Sequence, residues 1–114
     1  MGDKVFVAEL NKATAAEMKP GLLTRRTLAY NDQIMLCHFT LEEGLMLELH
    51  KHLAVQVGYV IKGKVRFIKD DGTSFVATAG TSYVFDSNEV HGIDRVYEPT
   101  ELVECFSPMR PEYV

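Results

Sequence analysis

The chain has 114 residues, of which 46% are hydrophobic and 25% charged, a balance that excludes a mostly disordered chain, a collagen and a coiled coil. The formal net charge is −4, and no basic block gives the chain the electrostatic signature of a nucleic-acid-binding protein. No apolar run approaches the ~20 residues that cross a membrane, and the first residues lack the apolar core of a signal peptide. With only two cysteines, we expect a cytoplasmic protein with reduced thiols, a single domain over residues 1–114, and neither a nucleic-acid nor a membrane partner.

The predicted elements begin with one helical segment at residues 10–18, one or two turns long and ended by Pro20-Gly21. From residue 22 the pattern changes to short apolar segments separated by turn residues, which predicts strands. Asp71-Gly72 predicts a hairpin turn. The nine predicted strands span residues 22–30, 33–40, 45–52, 55–61, 64–69, 74–77, 82–85, 90–96 and 101–106. Strands of this number and spacing predict an all-β antiparallel sandwich or barrel.

Three of the four histidines suggest a metal site. His50 and His52 are two apart in a predicted strand, so both side chains lie on one face, about 7 Å apart along the strand. Gln56 begins the next strand, and His91 lies on a later strand that a sandwich could bring alongside. Three neutral imidazoles and an amide oxygen suit a divalent ion such as Zn, Ni, Mn, Fe or Cu. The spacing alone also allows ordinary structural histidines, which is the expectation for His38.

Glycines frame these histidines. Residues 44–63 have the pattern G-x5-H-x-H-x3-Q-x6-G, which resembles the first cupin motif with Gln56 where Glu is the commoner ligand. Residues 80–95 resemble the second cupin motif, since they keep its glycine and its histidine. Other residues replace its proline, second glycine and asparagine, namely Asp86, Asn88 and Arg95. The resemblance implies a double-stranded β-helix with a short N-terminal helical turn. It also implies one divalent transition metal (Zn, Ni, Mn or Fe) held by His50, His52, Gln56 and His91.

Glutamine at position 56 affects the expected chemistry. An amide oxygen offsets none of the charge of a divalent metal, so the site would keep a formal charge of +2 and act as a stronger Lewis acid. The ligand set also lacks the carboxylate of the two-His-one-carboxylate triad that oxygen-activating iron commonly uses. We therefore expect non-redox chemistry on an anionic or hydroxy-carbonyl substrate.

The C-terminal stretch carries a second resemblance. Glu104 and Phe106 share a face of the last predicted strand, and Arg110 follows on a short tail that could fold over the barrel mouth. The pattern E-x-F-x3-R is similar to the D-x-F-x3-R of small cupins in pectin and alginate breakdown, which open 4,5-unsaturated uronates. The resemblance implies that Glu104 moves a proton, Arg110 binds a carboxylate and Phe106 packs on the sugar. Two departures concern the substrate: Glu104 itself, and Leu-Ala-Val at residues 53–55 where that family often has Pro-His-Glu.

Two alternatives to a sugar-acid enzyme remain at this stage. One is a non-catalytic cupin that binds or senses a carbohydrate or small acid. The other, which the missing carboxylate ligand disfavours, is a metal-dependent dioxygenase. The sugar-acid enzyme predicts product formation, the binding protein predicts binding without product, and the dioxygenase predicts oxygen uptake.

Weaker predictions concern the remaining side chains. One of the neighbours Arg25 and Arg26 faces inward if alternation holds, and it could neutralise a substrate carboxylate. The Glu48 side chain could line the cavity or orient a ligand histidine. Four aromatics are expected to pack in the core or at an interface: Tyr59, Phe67, Tyr83 and Phe85. Three leucines are expected opposite the histidine face, where they would contribute to a homodimer contact: Leu45, Leu47 and Leu49.

Overall fold

The structure is a computed structural model that describes residues 4–114. Over this range it contains eight antiparallel strands and two short 3₁₀ turns. The strands are β1 (Ala15–Lys19), β2 (Leu23–Tyr30), β3 (Met35–Leu41), β4 (Leu47–His50), β5 (Val55–Lys69), β6 (Ser74–Thr78), β7 (Ser82–Phe85) and β8 (His91–Ser107). The turns are Leu10–Lys12 and Pro111–Tyr113. The predicted all-β class and the short N-terminal helical turn are confirmed.

Two long strands organise the sheet. The pairing order is β1-β2-β3-β8-β5-β6, while β4 pairs with β8 and β7 pairs with β5. The first half of β5 pairs with β7 and its second half with β6. In the same way, the first part of β8 pairs with β4 and its last part with β3, while β5 and β8 pair with each other along most of their length. The predicted breaks at Gly63 and at Glu98-Pro99 do not end strands. Four of the predicted strands therefore merge into β5 and β8, because register shifts bend these strands without interrupting their pairing.

The extent of the N-terminal helix prediction is wrong. The helical turn ends at Lys12, and Ala15–Lys19 forms β1, which pairs with β2 from Ala15 opposite Arg26. A segment of five residues gains little from helix propensity, so pairing with an available strand edge decides its conformation. The Asp71-Gly72 hairpin is confirmed between β5 and β6, where Ile68 lies opposite Ser74.

A bulge in β4 changes which side chains share a face with the histidines. Leu47 lies opposite Ile93 and His50 opposite His91, so two residues of β4 between these positions face one residue of β8, Gly92. The alternation therefore inverts, and Leu47 lines the same cavity as His50. The expectation that the three leucines lie opposite the histidines is wrong for Leu47. Of the other two leucines, Leu45 is fully buried and Leu49 is exposed.

The two sheet surfaces differ in polarity and exposure. The inner surface carries the core, which includes Phe39, Phe67, Phe85 and Phe106. The outer surface of β5 and its neighbours carries exposed apolar side chains in paired positions, since Val57 lies opposite Val84 on one side and Cys105 on the other. Tyr59 and Ile61 continue the row. Among residues 4–114, no helix has the length and apolarity to cross a membrane.

Gly63 is a position at which we expect a large effect on stability. Its φ is +104°, and a Cβ there would lie 2.6 Å from the carbonyl oxygen of Pro99. Gly63→Ala should lower the free energy of unfolding by ~1–2 kcal/mol for the left-handed backbone and by a further ~1–3 kcal/mol for the overlap. Urea unfolding measures both. Gly72→Ala is the matched control, because its φ is +87° and open space surrounds it. Equal losses in the two variants would contradict the overlap at Gly63.

Candidate metal centre

Three strands bring the predicted ligands together. His50 ends β4 and lies directly opposite His91, the first residue of β8. His52 follows two residues after β4, and Gln56 is the second residue of β5. Ligand atoms of the three histidines all lie within 4.8 Å of one another, so the group could hold a metal ion. His50 is exposed, His52 half-buried and His91 buried, which leaves one side of the group open to solvent.

Main-chain carbonyls fix the orientation of all three imidazoles. The Nδ1 atoms of His50, His52 and His91 lie 2.7, 2.8 and 2.8 Å from the carbonyl oxygens of Glu48, Ala54 and Glu89, respectively. A carbonyl only accepts, so each Nδ1 carries the proton and each neutral ring keeps its lone pair on Nε2. Nε2 is then the atom available to a metal. Glu48 therefore orients His50 through its backbone carbonyl. The sequence had predicted this role for the Glu48 side chain, which is exposed.

Gln56 places an amide oxygen beside the imidazoles. Its Oε1 lies 2.9 Å from His52 Nε2, and its Nε2 donates to Glu104 Oε2 at 2.7 Å. Because Nδ1 holds the proton of neutral His52, the 2.9 Å contact joins two lone pairs. Two lone pairs can face each other at this separation when both atoms bind the same cation, as two neighbouring ligands of one metal ion do. The donor set of three imidazoles and an amide oxygen therefore fits a divalent transition metal.

Burial keeps two of these histidines neutral. The pKa of His91 is lowered to about 4, mainly by desolvation and to a smaller extent by the neighbouring His50 and His52. Desolvation also lowers the pKa of His52, with a smaller contribution from the Arg110 guanidinium. The His91 ring stacks on Phe85, with ring centroids 4.1 Å apart and planes 6° apart. Neutral, immobilised imidazoles are the form in which histidine binds a metal.

Glu104 is a buried carboxyl group beside the histidines. It lies on the inner face of β8, where its Oε2 accepts hydrogen bonds from Tyr83 Oη at 2.6 Å and from Gln56 Nε2 at 2.7 Å. Among the described residues no group donates to Oε1. Desolvation raises the pKa of Glu104, although the two hydrogen bonds and Arg110 oppose that rise. The carboxyl group is thus fixed through one oxygen and free at the other.

Tyr83 is the residue of this site that sequence reasoning missed, since the sequence predicted only packing for it. Besides packing among aromatic rings, its hydroxyl binds Glu104. Gly58 lies opposite Tyr83 in the β5–β7 pair, and any Cβ at Gly58 would overlap the tyrosine ring. A glycine within a strand often marks a place where another group approaches the backbone closely. Gly58 could therefore have indicated that the ring of a neighbouring residue lies across β5 at this position.

The C-terminal segment, residues 108–114, forms one wall of the site. Arg110 donates to Tyr113 Oη at 2.9 Å and to Glu112 Oε2 from two nitrogens, at 3.0 and 3.3 Å. The Tyr113 ring has the guanidinium carbons of Arg110 and Arg25 each 4.2 Å from its centroid. Thr27 Oγ1 donates to the Tyr113 carbonyl at 2.6 Å. The segment therefore folds against the cavity of its own chain.

A cavity of about 260 Å³ joins these groups. Its polar lining residues are His50, Gln56, His91, Glu104, Arg110 and Tyr113, and its apolar lining includes Phe106. His52 adjoins it through Gln56. All seven residues that the sequence singled out thus lie in or next to one cavity. Neither of the two predicted arginines lines this cavity. Arg25 stacks on the Tyr113 ring of the C-terminal segment, and Arg26 borders a separate surface pocket.

Known proteins resemble this chain in sequence and in structure. Residues 37–106, more than half of the chain, match the Cupin domain family. Pectin degradation protein KdgF of Dickeya dadantii (strain 3937) is 26% identical over 93 residues, which cover 81% of this chain and 84% of that protein. An RmlC-like cupin from Shewanella frigidimarina superposes with a TM-score of 0.85 at 27% identity over 95% of each chain. KdgF from Halomonas sp. superposes with a TM-score of 0.85 at 20% identity over 100% of each chain, which supports the fold. The resemblance to small pectin-degradation cupins is confirmed, and the chain belongs to the cupin family.

Proposed function

We propose that this cupin opens or tautomerises a carboxylated sugar, such as a 4,5-unsaturated uronate, in a site that holds one divalent transition metal. The observation that carries the proposal is the meeting of four features in one cavity. These are an imidazole group, an amide oxygen, the buried carboxyl group of Glu104 and the guanidinium of Arg110. The similarity to a pectin degradation protein supports a sugar acid as the substrate class.

The cavity favours a substrate of monosaccharide size. Its volume of about 260 Å³ lies just below the ~300 to 1,000 Å³ of typical ligand pockets. The aromatic ring of Phe106 lines it and offers an apolar surface to a sugar face. The Tyr113 ring lines the same cavity and packs edge-on against Phe106.

Glu104 is the group that would transfer the proton. Opening the ring of an unsaturated uronate is an isomerisation: the anomeric hydroxyl loses a proton, the ring C–O bond breaks, and a carbon of the former double bond gains a proton. One group that accepts and then returns a proton satisfies this balance. Glu104 Oε1 is suited to that role, because Oε2 is held by Tyr83 and Gln56 while no described residue donates to Oε1.

Arg110 would bind the substrate carboxylate. A guanidinium has five N–H donors, and Arg110 uses three of them on Glu112 and Tyr113. The two remaining N–H groups, on Nη1 and Nη2, can bind a carboxylate in a charge-assisted pair. A metal held by the histidines and Gln56 would act as a Lewis acid that polarises a substrate oxygen.

The test is turnover of an unsaturated uronate by metal-loaded protein. Loss of the ultraviolet absorption of the double bond conjugated to the carboxylate reports the reaction, and product mass distinguishes isomerisation from hydration. Conversion without oxygen uptake is the expected result. Tight binding without product would support the non-catalytic alternative, and oxygen consumption would support the dioxygenase.

We expect Arg110→Lys to lower kcat/KM by ~10- to 100-fold, the equivalent of losing one or two charge-assisted hydrogen bonds. Lysine keeps the charge but not the planar arrangement of donors, so KM should rise more than kcat falls. Steady-state kinetics on the same uronate measure both. Arg95→Lys is the matched control, because Arg95 also stacks on a tyrosine ring but lies away from the cavity. Unchanged kinetics in Arg110→Lys would exclude this role.

We also propose that the exposed apolar row on the outer surface of β5 is covered by a second copy of the chain. Val57, Tyr59 and Ile61 face outward in this row and continue onto Val84 of β7. A flat apolar sheet face is suited to a two-fold contact with itself. Val57→Lys should turn a dimer into a monomer by light scattering after gel filtration. Val76→Lys, at an exposed valine on β6, should leave the dimer intact, and a wild-type monomer would contradict the proposal.

A further inference from the structure

We infer that Glu104, itself held by Tyr83, positions the amide of Gln56 and thereby sets the affinity of this site for a metal. The inference rests on the metal site of the proposed function. It gives the buried carboxyl group a second role, distinct from proton transfer. Glu104 does not belong to the ligand group, so its action on a metal would pass through Gln56.

The Gln56 side chain presents one end of its amide to Glu104 and the other end to His52. Oxygen and nitrogen of a glutamine side chain have nearly the same shape but opposite hydrogen-bonding capacity, so neighbouring groups decide which end faces a site. Glu104 Oε2, which also accepts from the Tyr83 hydroxyl, lies 2.7 Å from one end of the Gln56 amide. That end must therefore be the NH₂ group, which leaves Oε1 facing His52 and the ligand group.

Glutamine suits position 56 because the carboxyl group of Glu104 lies directly behind it. A glutamate there would place a second acceptor-only group 2.7 Å from Glu104, and two ionised carboxylates at that separation repel each other. The amide avoids this conflict because its NH₂ group donates to Glu104. The departure from the commoner glutamate at this motif position thus follows from the buried carboxyl group behind it.

Tyr83 in turn holds the carboxyl group of Glu104. Its hydroxyl donates to the same Oε2 atom that accepts from Gln56, at 2.6 Å. The tyrosine can reach this atom because Gly58 leaves room for its ring. A continuous chain of buried hydrogen bonds therefore runs from Tyr83 through Glu104 to Gln56. Partners of this kind behind a metal ligand typically change metal affinity by ~10- to 100-fold when removed.

The experiment measures Zn²⁺ affinity by competition with a chromophoric chelator, using the 114-residue chain stripped of metal. Glu104→Leu removes the acceptor and should weaken Zn²⁺ binding by ~10- to 100-fold. Glu104→Gln should keep an affinity close to wild type, because an amide oxygen can accept the same two hydrogen bonds. Tyr83→Phe should give an intermediate affinity. Glu101→Leu is the matched control: it removes a carboxyl group on the same strand that instead binds His38.

The outcomes separate the two claims. Wild-type affinity in both Glu104→Leu and Tyr83→Phe would overturn the positioning role. Equal weakening in Glu104→Gln and Glu104→Leu would also overturn it, because charge rather than orientation would then matter. A wild-type chain that takes up no Zn²⁺ would overturn both this inference and the metal site. No substrate is present in these measurements, so failure to convert a uronate would count against the proposed reaction alone.

Discussion

We expect His50→Ala to weaken binding of a divalent transition metal by more than about 100-fold, since removal of a mere supporting partner already costs ~10- to 100-fold. His50 is exposed, so alanine leaves no cavity in the core and the fold should be retained. Its Nδ1 is engaged by the Glu48 carbonyl, which leaves Nε2 as the lost ligand atom. Elemental analysis and Zn²⁺ competition measure the effect.

His38→Ala is the matched control for this experiment. His38 is the fourth histidine; it is buried and bound to Glu101 on the outer surface, away from the cavity. It should lose some stability and keep full metal affinity. Metal affinity that falls equally in His38→Ala and His50→Ala would indicate general unfolding and would contradict the ligand assignment.

Metal removal supplies an independent readout of the same site. A ligand that binds only the folded state at 100 times its Kd raises the free energy of unfolding by ~2.7 kcal/mol. The wild-type chain should therefore melt at a lower temperature after treatment with a chelator. The His50→Ala chain should melt at the same temperature with and without it.

The second large effect is expected for Glu104→Gln. Loss of a positioned proton-transfer group lowers kcat by ~10²- to 10⁴-fold. Glutamine has nearly the same shape and can still accept from Tyr83 and Gln56 through its oxygen, so metal content should be unchanged. Steady-state kinetics on an unsaturated uronate, with metal content measured in the same sample, separate the two effects.

A matched variant again lies on the same strand. Glu101→Gln changes a carboxyl group on the outer side of β8 and should keep kcat within the range of wild type. Full activity in Glu104→Gln would show that proton transfer does not pass through this residue. Activity lost together with the metal would show instead that Glu104 acts through the site's structure.

Pattern and spacing predicted much of the architecture. Short apolar segments predicted the strands, and two glycine-framed motifs predicted both the fold and the grouping of His50, His52, Gln56 and His91. The role of these residues as metal ligands stays a prediction. Local signals sufficed because each of these residues lies at or next to a strand end, so short spacings along the chain were enough to predict their grouping.

Features that depend on long-range pairing could not be predicted in this way. The bulge between Leu47 and His50 arises from the register of β4 against β8, and no local residue marks it. Gly63 and Pro99 look like breaks in the sequence, yet each lies within a long strand because a bulge accommodates it. The hydrogen bond between Tyr83 and Glu104 joins β7 to β8 and exists only after both strands have paired with β5.

The position of β8 has a consequence for the order of events during folding. His91 begins this strand, which follows every other strand along the chain and pairs with β3, β4 and β5. His50 and His91 meet only through the β4–β8 pair, so a chain with β8 unpaired offers no complete ligand group. A metal would then bind after the sheet has formed and would not template it. In rapid-mixing experiments, Zn²⁺ uptake should begin only after the core aromatics are buried. The uptake would therefore report the step in which β4 and β8 pair and complete the ligand group.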